Sequence, residues 1–345
     1  MGIETRTVPH PAGRSQAVSR RIIVFAPNWL GDAVMALPAI ADVRRALPDA
    51  TIDIAARAPI APLVPLVDGI GTSILLGERR ASIDVLKAGG YDTALLLPNS
   101  FNTAWIARQA GIGERWGYRN EFRSIVLTRA IAPPVRVHQR AFYQQLTTAL
   151  GFPAGSTEPR LSVPHDLRVI GEDRLEESGW DRRTRLVAVA PGAAFGGAKR
   201  WPSERFASTI DALARDGVRS VLIGAGADAK AGAQVLDDVH TSLRPLNLIG
   251  ATDLSTLAAV LVHCRTLVTN DSGAMHFAAA LGIDVAAVFG PTNEQETRPV
   301  GTGRMSVVHT DVWCRPCMLR ECPLTHRCMT GVTTDAVVGA VRASL

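Results

Sequence analysis

LVAVAPGAAFGGAKRWPSERFA, residues Leu186–Ala207, contains a strand, a loop and the start of a helix. Leu186 to Ala190 is an unbroken apolar run, the pattern of a strand covered on both faces. Pro191 to Lys199 is mostly glycine and alanine. Pro202 to Arg215 has helical spacing, with Ser203 as the expected N-cap. Small residues after a strand let backbone N–H groups approach phosphate oxygens. The helix start adds a favourable dipole, and Lys199 adds a point charge. GxxxxGK[ST] is absent, so this is not a P-loop. An ordinary glycine-rich connection would read the same way at this point.

The same unit recurs on both sides. Strands are expected at Arg21–Ala26, Thr51–Ala55, Thr72–Leu76 and Asp92–Leu97, then at Val218–Ile223, Thr266–Thr269 and Val285–Phe289. Helical spacing fills the gaps, at Ala33–Leu47, Glu78–Ala88, Phe101–Ala110, Gln139–Leu150, Ala229–Val239, Leu254–Val262 and Ala274–Leu281. Strands alternating with helices predict parallel sheets covered on both faces. Gly151 to Pro164, with three prolines and little periodicity, divides the pattern. The expected organisation is a loose basic tail over 1–20, an α/β domain over 21–150, a linker over 151–164 and a second α/β domain over 165–345. Ligands of such sheets sit at the carboxyl ends of the strands, here in a cleft between two domains.

Composition narrows the class. Of 345 residues, 47% are hydrophobic and 20% charged, which describes a soluble globular chain. The first twenty residues lack the apolar core of a signal peptide, and no run approaches a membrane span. The chain is expected in the cytoplasm. Residues 1–160 hold 18 Lys and Arg against 12 Asp and Glu, whereas 161–345 hold 19 against 20. A basic front half suits an anionic partner. Its arginines between 108 and 140 interleave with Trp105, Trp116, Tyr118 and Phe122. Only three lysines occur, so Lys199 beside Arg200 is conspicuous.

Other stretches could carry chemistry. Asn28-Trp-Leu-Gly-Asp32 follows the first strand and places Asp32 at a helix start. There it could serve as a general base or only cap the helix. Thr269-Asn-Asp-Ser-Gly-Ala-Met-His276 follows another strand. Ser272 and Gly273 would open a helix facing an anion, Asp271 could accept sugar hydroxyls, and His276 falls on the first turn or in the core. Gly224-Ala-Gly-Ala-Asp228-Ala resembles a dinucleotide fingerprint, but no acidic residue closes a strand about 20 residues later. Asp228 reads instead as a ribose contact. Cys314, Cys317, Cys322 and Cys328 are spaced C-x2-C-x4-C-x5-C, with His326 among them. Structural zinc and reduced thiols both fit that spacing. Cys264 is expected at a helix end, in the core.

In combination, NWLGDAVMALPAI, LLLPNSF, PGAAFGGAKRWP, TNDSGAMHFAAALG and VFGPTNEQETRP resemble the ADP-heptose:lipopolysaccharide heptosyltransferases, in their heptosyltransferase II branch. These pieces run in family order from Asn28 to Pro299. The resemblance implies a GT-B fold, two Rossmann-like domains with parallel sheets facing across a cleft. It implies an inverting transfer of heptose from ADP-heptose to the lipopolysaccharide inner core, at the inner face of the cytoplasmic membrane. Asp32 matches the proposed base. Lys199, Asp228, Asp271, Ser272, Gly273 and His276 would serve the donor, and Asn28, Asn99, Arg119 and Arg123 the acceptor. No cofactor is implied for catalysis and no DxD motif is evident. The enzyme would be a monomer without nucleic-acid partners. Ala194 stands where some relatives carry an acidic residue. Alternatives are heptosyltransferase I or a later heptosyltransferase, an NAD-dependent oxidoreductase using the Gly224 loop, and a non-catalytic nucleotide- or metal-binding module.

Overall fold

The computed structural model describes residues 20–345, so all but the last residue of the expected tail lies outside the described residues. Arg20 itself belongs to the fold: its guanidinium bonds the Thr93 hydroxyl and lies over the Trp116 ring.

The front sheet contains β1 (Arg21–Phe25), β2 (Thr51–Ala56), β3 (Ser73–Leu75), β4 (Thr93–Leu96), β5 (Glu114–Tyr118) and β6 (Arg129–Ile131). The back sheet contains β7 (Leu186–Ala190), β8 (Arg219–Leu222), β9 (Leu246–Asn247), β10 (Cys264–Asn270), β11 (Asp284–Phe289) and β12 (Met305–His309). Their orders are β3-β2-β1-β4-β5-β6 and β12-β11-β10-β7-β8-β9. Every pairing is parallel. Numbered from its own first strand, each sheet has the same order, 3-2-1-4-5-6. This is the doubly wound arrangement of two Rossmann-like domains, the GT-B fold.

Apolar runs form these strands because helices cover both faces. Ile22, Ile23, Val24 and Phe25 are all fully buried, as are Leu186 to Val189. Cutting one such side chain to Ala typically costs about 2–5 kcal/mol. The segment 151–164 contains no helix or strand. After it, the helix His165–Glu177 packs on Leu254–Leu261, with Gly171 against the Ala259 backbone.

Several local expectations need correction. The helix expected over Ala33–Leu47 is two helices, Leu30–Met35 and Leu37–Ala46, joined at Ala36 just before Pro38. β5 and β6 lie in the arginine-rich stretch, where exposed charges hide strand periodicity. Cys264 opens β10 and ends no helix. Ser203 is inside its helix, which Pro202 precedes without a side-chain cap.

Candidate functional site

In a 3-2-1-4-5-6 sheet, the loops after strands 1 and 4 diverge to opposite faces and leave a crevice at the carboxyl edge. β1 leads to Asn28–Asp32, β7 to the Lys199 loop and β10 to Asp271–Gly273. The two crevices face one another, and the helix Leu30–Met35 packs against the helix Gly273–Ala280. Glycine makes the contact this close. A Cβ on Gly273 would stand 3.0 Å from Leu30 Cβ and 3.1 Å from Gly31 N, and one on Gly31 would stand 2.9 Å from the His276 ring.

Beside this contact is a cavity of about 460 Å³. The front domain contributes Trp29, Leu30, Gly31, Ala58, Pro59 and Pro62. The back domain contributes Gly192 to Ala194, the Gly224 loop with Asp228, Thr252 to Leu254, and Ser272 to Ala274. Its size suits a nucleotide. The Gly273–Ala280 helix opens toward it without a side-chain cap, so its positive end faces the cavity.

Among the expected donor residues, Asp228, Ser272 and Gly273 line this cavity. Asp228 also closes its own turn by accepting the Ala225 amide at 3.0 Å. Lys199 and Asp271 bind each other, Nζ to Oδ2 at 2.6 Å, with side chains 13% and 5% exposed. Thr292 donates to the same oxygen at 2.6 Å. The ammonium lies 4.8 Å from the Phe195 ring centre. It has three donors, of which Asp271 takes one. His276 is buried behind Gly31. Burial first, then the nearby His138 and Lys199 charges, push its pKa down to about 3, so it is neutral.

Asp32 sits in the first turn of its helix, and the N-cap there, Trp29, makes no side-chain capping bond. Burial raises the Asp32 pKa, and a hydrogen bond from Tyr143 partly opposes that shift. Tyr143 is itself held by Gln139 Nε2 at 3.2 Å, and burial followed by the Asp32 charge raises its own pKa. A carboxylate with a raised pKa is a stronger base than an ordinary one.

The acceptor set divides. Asn28, Asn99 and Arg119 are exposed. Arg123 is not an accessible contact: it is 1% exposed, and its guanidinium donates to the Tyr118 and Leu96 carbonyls and to Asn99 Oδ1. Burial lowers its pKa to about 10. Gly117 leaves room for it, since a Cβ there would meet Nη2 at 2.9 Å. Arg123 ties the ends of β4 and β5 together beneath Asn99.

Two of the loop glycines make a further close contact. Gly196 and Gly197 face the chain around Arg320 and Glu321, where a Cβ would collide at 2.4 and 2.5 Å. The cysteine-bearing loop therefore folds back on the Lys199 loop. Arg320 O accepts the Ala198 amide, Glu321 Oε1 accepts the Gly197 amide, and the His326 ring bonds Ala198 O at 2.7 Å. A cluster that follows the last nucleotide motif in sequence is in contact with the first one in space. Cys328 is buried, which raises its pKa, and Cys322, Cys314 and Cys317 are near enough to raise it further. All are free thiols. Among the described residues no group of three or more His, Cys, Asp or Glu side chains is placed to hold a metal ion.

Four residues here were not singled out from the sequence. Asn270 accepts the Trp201 amide and donates to Pro191 O and Gly192 O, pinning both ends of the donor loop. Thr292 and Asn270 stand inside recognisable motifs. Tyr143 and His138 had no such signal.

The model of glycosyltransferase family 9 (heptosyltransferase) matches residues 79–327. The chain is 32% identical to lipopolysaccharide heptosyltransferase 2 of Escherichia coli K12 over 301 residues, 81% of this chain and 85% of that protein. It is 33% identical to the Salmonella typhimurium enzyme of the same name over 303 residues, with the same coverage. The solved structure of E. coli ADP-heptose lps heptosyltransferase II superposes with a TM-score of 0.82 at 29% identity, covering 94% of this chain and 98% of that one.

Proposed function

The chain belongs to glycosyltransferase family 9, the heptosyltransferases, and from that premise we propose that it moves heptose from ADP-heptose to the inner core of lipopolysaccharide with inversion. The observation that carries the reading is the opposition of two crevices. Asp32, a carboxylate of raised pKa, stands on one side. An uncapped helix start and the Lys199 ammonium stand on the other.

Asp32 takes the proton of the acceptor hydroxyl as that oxygen bonds the anomeric carbon. The bond from that carbon to the ADP oxygen breaks from the opposite face, and the electron pair leaves with ADP. The two ammonium protons not used by Asp271, together with the Gly273 helix start, stabilise the growing diphosphate charge. Asp228, on the cavity wall, accepts from the ribose. Asp271 is committed to Lys199 and Thr292, so it acts on the donor chiefly by aiming the ammonium. Asn28, Asn99 and Arg119 offer exposed polar groups to the acceptor, with Arg123 holding Asn99 in place.

The acceptor is the heptosyl-Kdo-lipid A type, met by a monomer at the inner face of the cytoplasmic membrane. No described helix is long and apolar enough to cross a membrane. Zinc at Cys314, Cys317, Cys322 and Cys328 rests on their spacing. A metal content near one per chain supports it, and metal-free protein of full donor affinity overturns it. The deciding test of function is ADP release from ADP-heptose with acceptors carrying no, one or two heptoses. Turnover specific to the one-heptose acceptor is expected. Absence of ADP release with all three overturns the reading.

A further inference from the structure

The cysteine-bearing loop brings a second cation to the Lys199 loop. Arg320 Cζ lies 5.3 Å from the centre of the Phe195 ring, and Lys199 Nζ lies 4.8 Å from the same centre. Two cations beside one ring repel each other. Lys199 has Asp271 to hold it there. Arg320 has no such partner. It is exposed, and among the described residues its guanidinium makes no hydrogen bond or ion pair.

The main chain fixes its place all the same. Arg320 O accepts the Ala198 amide at 2.9 Å, and the Glu321 carboxylate accepts the Gly197 amide at 2.9 Å. Two residues before Arg320, Met318 N donates to Pro291 O at 2.9 Å, and Arg315 pairs with Glu294 at 3.0 Å. The backbone at Arg320 is therefore tied to the loop after β7 and to the loop after β11. The second of these carries Thr292, which donates to Asp271, the partner of Lys199. A charge held this way needs little ordering when an anion arrives.

A diphosphate at this place calls for more positive charge than Lys199 supplies. Asp271 already neutralises that ammonium, while Asp228 on the cavity wall and Glu321 on Gly197 add negative charge. The Gly197 and Ala198 amides, which a phosphate could have used, are taken by Glu321 and by Arg320 O. Ala194 is the last residue of this loop on the cavity wall, and Phe195 follows it with both cations beside its ring. We propose that Arg320 is a second donor-binding cation, its guanidinium gripping oxygens of the nucleoside diphosphate alongside Lys199. The planar fork of a guanidinium suits phosphate oxygens two at a time. The charge that grows on the departing diphosphate then meets two cations. This assignment rests on the reading of the cavity as the ADP site.

The test is calorimetric binding of ADP and of adenosine, without acceptor, to the full chain and to R320Q and R320K. R320Q is expected to weaken ADP binding by about tenfold. Its adenosine affinity and melting temperature should equal those of the parent, because the side chain is exposed and its backbone contacts remain. R320K keeps the charge and should lose less than R320Q. The parent's ADP affinity should also fall more steeply with salt than that of R320Q. R320Q that binds ADP as well as the parent, equal losses for ADP and adenosine, or an effect confined to the KM of the acceptor would each overturn the proposal. ADP release from ADP-heptose is measured alongside. A parent that binds ADP through Arg320 but releases none from ADP-heptose overturns only the transfer reading, whereas a parent that binds no ADP overturns both.

Discussion

Asp32 and Asp271 are both carboxylates at the carboxyl edge of a central strand, and their surroundings differ. Asp271 is buried with an ammonium at 2.6 Å and a threonine hydroxyl on the same oxygen. Asp32 has Tyr143 and a desolvating environment that raises its pKa. A carboxylate held by a cation is a poor base, because taking a proton would break the pair. One left without a cation in a partly dry site is a better one. The two positions look alike in sequence, each a strand end followed by a helix start. On the proposed reading, these neighbours suit Asp32 to proton transfer and Asp271 to aiming Lys199.

The hardest test of this contrast is Asp32→Asn. It preserves shape and removes the base, so kcat should fall about 10²–10⁴-fold with ADP-heptose affinity little changed. Turnover within threefold of the parent would leave Asp32 as a helix-end residue only. Next is Lys199→Ala. It should weaken ADP binding and also cost about 3 kcal/mol of stability, because Asp271 is left buried and unpaired. Adding Asp271→Asn should restore most of the melting temperature without restoring ADP affinity. If the stability loss persists, the pair is not what makes Lys199 structural.

His276, packed beside the two sites, sharpens the comparison through pH. Its folded pKa is about 3 against 6.5 for the ordinary group, so the unfolded chain binds the proton first. Its contribution is therefore fully present above 6.5 and is lost as pH falls from there toward 3. The slope is about 1.4 kcal/mol per pH unit for one such group. His276→Gln should flatten that part of the stability profile; an unchanged slope would assign it to other groups. The smallest expected effect is Tyr143→Phe. Tyr143 lowers the Asp32 pKa, so its loss should move the acid limb of kcat/KM up by about one pH unit, with the plateau rate nearly kept. A downward shift would break the link between the two side chains.

Much of this was legible from residue types in order. Apolar runs at Arg21–Ala26, Leu186–Ala190 and Val285–Phe289 could only be strands covered on both faces, and helical spacing filled the intervals. The motifs carrying Asp32, Lys199, Asp271 and Ser272 stood at strand ends because a parallel sheet puts its ligands there. β5 and β6 were hidden: the edge strand β6 begins with the exposed Arg129, and β5 begins with Glu114 and Arg115 and holds only three buried residues, too few to show an apolar pattern.

Sequence alone determined that there are two α/β units with parallel sheets covered on both faces, where their ligand-facing loops begin and which polar residues those loops carry. These follow from local periodicity and from the rule relating parallel strands to their carboxyl ends. Only the tertiary structure decided what each residue touches. Lys199 proved to be paired and Arg123 buried, Gly196 and Gly197 serve the contact with the cysteine-bearing loop, and Tyr143 reaches Asp32 across more than a hundred residues. Charge state and accessibility depend on distant neighbours, and the spacing of residues along the chain does not encode which distant neighbours will meet.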